Sequence, residues 1–273
     1  MKKSNIIQLE NNTDKFLFNF DRREIDNPDI YNLFRINYIR RIEQIVKSVE
    51  KFKYPPAKVL EIGCAQANIS LLLAEKGYDT YALDLRYGFL KYSKKKYEKG
   101  NINWIQGNAF ELPFNEFSFD IIIMAEFVEH VAFPEYLIRY TWKFITNGGL
   151  LLITTPNGDN ITNELPHISN IKERNELRKK QFQPEGLGHL FSLTEREIQT
   201  ILKNLTDSYG GKTSFAGSIL LNNYTYKFYN KIYYPLLLTL IKFIEVTPCL
   251  RNYFSKTLMV KIFKREKQLY ASF

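Results

Sequence analysis

KVLEIGCAQANISL, residues Lys58–Leu71, decides the fold. Val59, Leu60 and Ile62 make a short apolar strand. Gly63–Asn68 is a turn of small and polar residues, and Ile69–Ala74 begins a helix. A strand that enters a helix through a tight turn opens a ligand crevice at the carboxyl end of a parallel sheet. Small side chains let the backbone approach a ligand, and the free N–H groups of the helix start point at it.

Working outward, four further strands are predicted with helical sequence between them. They are Thr80–Leu83 closed by Asp84, Ile102–Gln106 closed by Gly107-Asn108-Ala109, Phe119–Met124, and Gly149–Thr154. Unbroken apolar runs such as Ile121-Ile122-Ile123 are strands covered on both faces, as in parallel sheets. The alternation predicts a doubly wound α/β fold with helices on both faces, and Lys212–Phe215 and Leu258–Phe263 supply the last two strands. Upstream, Asn27-Pro28-Asp29 reads as a helix start, and Ile30, Phe34, Ile39, Ile42, Val46 and Val49 carry that helix to Lys51, across the sheet edge or the ligand mouth. Residues 1–25 carry few signals beyond Phe16, Phe18 and Phe20.

The division expected is an N-terminal extension and helix over 1–55, one domain over 56–264, and a tail over 265–273. Within the domain, an excursion at 156–188 with a helix around Lys172–Lys180 has the length of a lid or acceptor wall. Thr194, with Glu197 three residues on, forms a capping box for the helix that follows. A hydrophobic insertion occupies 222–255. Its apolar centre, Ile232–Ile244, falls short of the ~20 residues of a membrane span and is interrupted by Pro235 and Lys242. Through 228–250 it is read either as a core or dimer contact or as an interfacial helix on a membrane.

Of the 273 residues, 45% are hydrophobic and 25% charged, which excludes a disordered chain. Two cysteines, Cys64 and Cys249, make no disulfide framework, and Met1-Lys2-Lys3-Ser4-Asn5 does not open a secretory signal. A cytoplasmic setting is expected, with peripheral contact at the inner face of the membrane if the insertion is interfacial. The net charge of +9 is spread along the chain, and its densest run, Lys91–Lys99, has the spacing of a solvated helix face. Nucleic acid is therefore not the expected partner.

Asp84 follows Gly63 by 21 residues, close to the ~20 that separate a glycine turn from a ribose-binding acid. Asn108, beside Ala109, is placed to pair with an adenine edge. The turn lacks the GxGxxG of a pyrophosphate loop, and the neighbouring Glu61 would repel phosphates while suiting an ammonium. An adenosine with an ammonium and no phosphates is S-adenosylmethionine.

Over Pro56–Lys264 the chain resembles the class I S-adenosylmethionine-dependent methyltransferases. The resemblance is carried by VLEIGCAQANIS (59–70), YALDLR (81–86), QGNAFELPF (106–114), FSFDIIIMAEFVEHV (117–131), NGGLLLITTPNG (147–158) and GHLFSLTEREIQTIL (188–202). It implies a Rossmann-like, seven-stranded sheet, mostly parallel, with an antiparallel last strand. It implies that Glu61, Gly63 and Ala65 hold the methionine end, Asp84 and Leu85 the ribose, Asn108 and Ala109 the adenine, and that Glu126 closes the cofactor site. Where the family usually has Gly, this chain has Ala67, whose methyl is expected to face the ligand and weaken its binding.

Glu126, Glu129 and His130 stand at i, i+3 and i+4 after the fourth strand, on one face of a helical turn. With His189 they form a donor set suited to Mg²⁺ or Mn²⁺, and His130, assisted by Glu129, is the candidate general base. Glu-x-x-Glu-His with a later His also resembles the metal site of small-RNA 3′-end ribose 2′-O-methyltransferases and is similar to ubiquinone-pathway O-methyltransferases. Glu-His turns also occur in metal-free relatives. Thr155-Pro156-Asn157-Gly158 is expected to shape the acceptor pocket, and His167 receives no role. The function expected is O-methylation of a small-molecule, glycan or lipid-linked acceptor. Ribose methylation of an RNA end, or a non-catalytic scaffold, is the alternative.

Overall fold

A computed structural model describes residues 1–3, 6–30, 32–181, 188–209, 211–219 and 233–265. The tail beyond 265 and most of the N-terminal half of the insertion lie outside the described residues, as do residues 182–187 of the excursion. Seven strands form one sheet: β1 (Lys58–Ile62), β2 (Asp79–Asp84), β3 (Asn101–Gln106), β4 (Phe119–Ala125), β5 (Ile145–Pro156), β6 (Gly211–Ile219) and β7 (Ser255–Lys264). Their order is β3-β2-β1-β4-β5-β7-β6. The first five are parallel, and β7 runs antiparallel to both neighbours. Because β1 pairs with β2 on one side and β4 on the other, the chain reverses its winding between β1 and β4. A crevice opens at their carboxyl ends.

Helices α1 (Asn12–Arg23), α2 (Leu33–Phe52), α3 (Asn68–Glu75), α4 (Tyr87–Lys96), α5 (Pro134–Thr141), α6 (Arg174–Leu177) and α7 (Glu195–Tyr209) alternate with the strands; α8 (Tyr234–Val246) and α9 (Pro248–Phe254) follow β6. Ile121, Ile122, Ile123 and Met124 of β4 are fully buried, which explains the unbroken apolar run: this strand is covered on both faces. One face packs on Leu137, Trp142, Phe191 and Leu202, the other on Ile42, Ile45, Val46 and Val49 of α2. Each such aliphatic side chain stabilises the fold by roughly 1.5–3 kcal/mol relative to exposure.

Three expectations are corrected. Of the two places expected for the second helix, the sheet edge is wrong, since it packs on a sheet face, while its Arg41 does reach the crevice-lining Glu126; it starts at Leu33, because Asn32, five residues beyond Asn27, accepts the N–H groups of Phe34 and Arg35. The uninformative first 25 residues contain α1, capped by Asn11 through the N–H of Asp14. The lysine run is not wholly solvated. Lys96 is buried and bonded to Asp21 at 2.9 Å and to the Asn68 side chain, and Lys95 reaches Asp14 at 2.6 Å. Asn68 also donates to Asp21 (3.0 Å) and to the Tyr38 hydroxyl (2.7 Å), and Tyr92 donates to Asp21 (2.9 Å). One buried polar knot therefore ties α1, α2, α3 and α4 together.

The capping box at Thr194 is formed. Its hydroxyl accepts the Glu197 N–H at 3.1 Å, and Glu197 accepts the Thr194 N–H at 2.8 Å. Thr194→Ala should cost about 1 kcal/mol and lower Tm by about 2–4 °C; an unchanged melting curve would show that the first turn of α7 is held by other contacts. Among the described residues no helix is long and apolar enough to cross a membrane.

Candidate active site

The turn after β1 is built on left-handed backbone. Gly63, Ala65 and Ala67 have φ of 71°, 44° and 52°. The Gly63 and Cys64 N–H groups donate to the Leu83 carbonyl at 2.8 and 3.0 Å, stapling the turn to the end of β2. A Cβ on Gly63 would lie 2.2 Å from the Phe127 ring, so glycine is required there by space as well as by φ.

Asp84 sits across the crevice from this turn. One carboxylate oxygen accepts the Ala65 N–H (3.0 Å), the other the Arg86 N–H (2.8 Å). The side chain is buried, and that burial raises its pKa. Asn108 accepts the Phe110 N–H at 3.1 Å, fixing the short turn after β3. Gly63, Ala65, Asp84, Leu85, Asn108, Ala109, Glu126, His130 and His189 line one cavity of about 480 Å³. The cavity thus collects most of the residues expected at a cofactor.

Glu61 is not among them. Its carboxylate turns away from the cavity and accepts both the N–H (2.9 Å) and the hydroxyl (2.5 Å) of Ser70. Ala67, at the N-cap of α3, has no side-chain acceptor, and Glu61 supplies one from the preceding strand. Burial pushes the Glu61 carboxyl up to about 7.

Ala67 also departs from expectation. Its methyl is fully buried against Cys64, Leu71, Ala74 and Leu90, away from the cavity. Ala67→Gly relieves an αL alanine worth roughly 1–2 kcal/mol but removes a buried methyl worth about 0.8 kcal/mol and adds unfolded-chain entropy. We expect a Tm shift of only a few degrees and unchanged affinity for S-adenosylhomocysteine; tighter binding in calorimetry would place the methyl in the ligand's path.

At the other end of the cavity, Val128–His130 forms a 3-10 turn after β4. Leu190 N–H donates to the Glu129 carbonyl (2.9 Å), and His130 Nδ1 faces the Gly188 carbonyl at 3.2 Å, so the 188–190 segment is stitched onto this turn. A carbonyl only accepts, so Nδ1 carries the proton and Nε2 keeps its lone pair. Glu129, His130 and His189 bring one donor atom each within 4.8 Å of one another. Glu129 is fully buried: Oε2 accepts the Thr155 hydroxyl (3.2 Å), while Oε1 lies 3.7 Å from His189 Nε2 and has no hydrogen-bond partner. Burial, and then the charge of Glu126, push the Glu129 carboxyl well up. Burial and the neighbouring His189 push His130 down to about 4, and burial also lowers His189. Both rings are neutral lone-pair donors at neutral pH, and His130 is a weak base.

Glu126 stands apart from that trio. It has φ 52°, and its carboxylate meets Arg41 of α2 at 3.3 Å. Arg41 had no sequence signal, since nothing in its spacing distinguishes it from Arg40. Phe16, Leu17 and Phe20 of α1 roof the cavity and were likewise missed, although Phe16 and Phe20 at i, i+4 behind an Asn cap were a legible helix face. The predicted lid helix shrinks to Arg174–Leu177, whose Leu177 lines the cavity with Lys180. Asn157 does not face an acceptor: it is buried and donates to the Asn252 and Ser255 carbonyls (2.9 and 2.8 Å). His167 lies outside the cavity, its Nε2 3.0 Å from the Gly158 carbonyl. A larger groove of about 860 Å³ between α5 and α7 holds none of the titratable trio.

Residues 60–153 match the family described as "Methyltransferase domain". The chain is 36% identical over 107 residues to a ubiquinone/menaquinone biosynthesis C-methyltransferase UbiE from Shewanella sediminis, covering 36% of this chain and 42% of that protein. It is 31% identical over 137 residues to a ubiquinone biosynthesis O-methyltransferase from Rickettsia prowazekii, covering 48% and 53%. The chain thus spans about half the length of the curated relatives it matches. In fold it is similar to the plantazolicin methyltransferase BpumL, solved in complex with a triazolic desmethylPZN analog and SAH (TM-score 0.57, 19% identity, 92% of this chain and 90% of that one).

Proposed function

We propose that this chain, whose residues 60–153 match a methyltransferase-domain family, is a class I S-adenosylmethionine-dependent methyltransferase that methylates an oxygen of a small-molecule, glycan or lipid-linked acceptor, with a divalent cation at Glu129, His130 and His189. Both a C- and an O-methyltransferase are among its relatives, so similarity does not choose the atom. The observation that carries the choice is the buried Glu129 carboxylate, whose Oε1 has no hydrogen-bond partner and faces two neutral imidazoles. A buried carboxylate needs a counter-charge or a proton, and a Glu–His–His donor set suits a small divalent ion.

When bound, S-adenosylmethionine would supply an electrophilic methyl on a sulfonium, passed to the acceptor oxygen with loss of the neutral thioether and with the acceptor's hydroxyl proton going to solvent water. A divalent cation held by the trio would supply the positive charge that makes an acceptor hydroxyl easier to deprotonate. The chain's own residues do the rest. Asp84 accepts from the ribose hydroxyls, and Gly63 lets the backbone approach. The aromatic roof of α1 keeps water out, and Asn108 orients the adenine. His130 holds its Nδ1 proton on Gly188 and presents Nε2. Its low pKa suits a ligand better than a base, which shifts the role expected of it.

The test has two arms. Calorimetry should show saturable binding of S-adenosylhomocysteine; no heat would overturn the methyltransferase reading in favour of a scaffold. Manganese titration followed by electron paramagnetic resonance should show one bound ion per chain, lost with EDTA. Full methyl transfer to any acceptor after chelation would remove the metal from the proposal.

A further inference from the structure

Among the described residues, the α8–α9 hairpin leaves an apolar surface without an internal partner. Leu237 and Ile241 are buried, while Tyr233, Leu236, Leu240, Phe243 and Val246 stand exposed on the opposite side, continued by Tyr253 and Phe254 of α9. With about 100° per residue, Leu236, Leu240 and Phe243 fall within roughly 60° of one another, a single stripe along the helix. Scattered apolar residues on a surface need no explanation, but a contiguous stripe does.

The polar groups around the stripe say what covers it. Thr239 and Thr247 turn their hydroxyls back onto the Pro235 and Phe243 carbonyls (3.0 and 2.8 Å), leaving neither in need of water as a donor. The only acid between 233 and 256 is Glu245, and it is buried against Arg40 at 2.8 Å. The charges exposed there are both positive: Lys242, to one side of the stripe, and Lys256. Within 233–256 the apolar stripe has exposed cations beside it and no exposed anion, while Asp159 and Glu164 are exposed on the loop next to α9; such a stripe is complementary to a surface that is apolar inside and negative outside. A second copy of the same face would instead bring like charges together.

We propose that α8 and α9 dock this protein on anionic lipid, lying in the plane of the headgroups without crossing the bilayer. The stripe is carried at the working end of the sheet. Thr257, just beyond α9, pairs with Pro156 at the carboxyl end of β5. Asn157 donates its N–H to the Lys256 carbonyl at 2.7 Å, two residues from the Thr155 that touches Glu129. Docking therefore brings the mouth of the crevice to the lipid surface. The docking itself stands on the stripe alone and is independent of the reaction assigned to the crevice.

The experiment is flotation of the full chain with vesicles of pure phosphatidylcholine and of phosphatidylcholine with phosphatidylglycerol. Binding to the anionic vesicles should be at least tenfold stronger, should weaken at high salt, and should fall at least tenfold in Leu240→Asp/Phe243→Asp with an unchanged melting curve. Cys249 is exposed and Cys64 buried, so an environment-sensitive fluorophore on Cys249 should shift to the blue on adding anionic vesicles, without any change to the stripe. Equal binding of the double variant, or no binding at all, overturns the proposal. So does a dimer in light scattering that Leu240→Asp/Phe243→Asp dissociates, because the stripe would then belong to a second copy.

Discussion

Asp84→Ala should weaken S-adenosylhomocysteine binding by at least 100-fold. Two ribose hydroxyls donating to an ionised carboxylate contribute about 1.5–3 kcal/mol each, and a 100-fold loss corresponds to about 2.7 kcal/mol. The same carboxylate organises the crevice itself, since it holds the Ala65 and Arg86 N–H groups. Alanine removes both anchors, so Tm should fall as well. Asp84→Asn separates the two effects. Its carbonyl oxygen keeps one anchor, but its amide donates where the ribose needs an acceptor. Calorimetry should therefore show most of the affinity loss in Asp84→Asn with less of the stability loss. Unchanged affinity in both variants would place the ribose elsewhere.

Glu129→Gln should act in opposite directions on stability and on turnover. Burial raises the carboxyl's pKa in the folded chain above its unfolded value. The folded state therefore holds a proton that the unfolded state releases as pH rises past about 4.5. The glutamate's contribution is full below that point and is lost as pH climbs toward the raised folded value. Glutamine has no proton to lose. The metal-free variant should melt higher than the parent at pH 8, with the difference shrinking toward pH 4.5. Methyl transfer should fall on the order of 100-fold or more, the scale for removing one electrostatic group from a reacting centre, and manganese binding should be lost. A variant that keeps full activity would sink the role given to Glu129; one that melts lower at pH 8 would show that its carboxylate is ionised and paired in the folded chain.

Much of this fold was legible before any coordinates, because parallel strands buried on both faces announce themselves as unbroken apolar runs, and Ile121–Met124 did so. The crevice was legible too: Gly63, Asp84 and Asn108 close three consecutive strands, and strand ends are set by local chemistry. What was not legible depends on direction in space. Glu61 points to Ser70 because α3 lacks an N-cap side chain, and Ala67 points to the core because its backbone is left-handed. Neither orientation is encoded in spacing. Arg41 reaches Glu126 only because α2 lies on the sheet face, a contact between residues 85 positions apart. The stripe on α8 was visible as composition, but which of its side chains face outward required the Arg40–Glu245 pair that fixes the helix's rotation.

The knot at Asp21, Asn68 and Lys96 bears on how fast the crevice can exchange its contents. Phe16, Leu17 and Phe20 line the crevice from α1, which carries Asp21 in its last turn. Asp21 is bound to Asn68, the first residue of α3, directly behind the turn after β1. Stripping a partner from a buried ion pair costs roughly 3–5 kcal/mol, and Asp14 at the other end of α1 is held by Lys95 at 2.6 Å, so α1 is pinned at both ends and exchange beneath it should be slow.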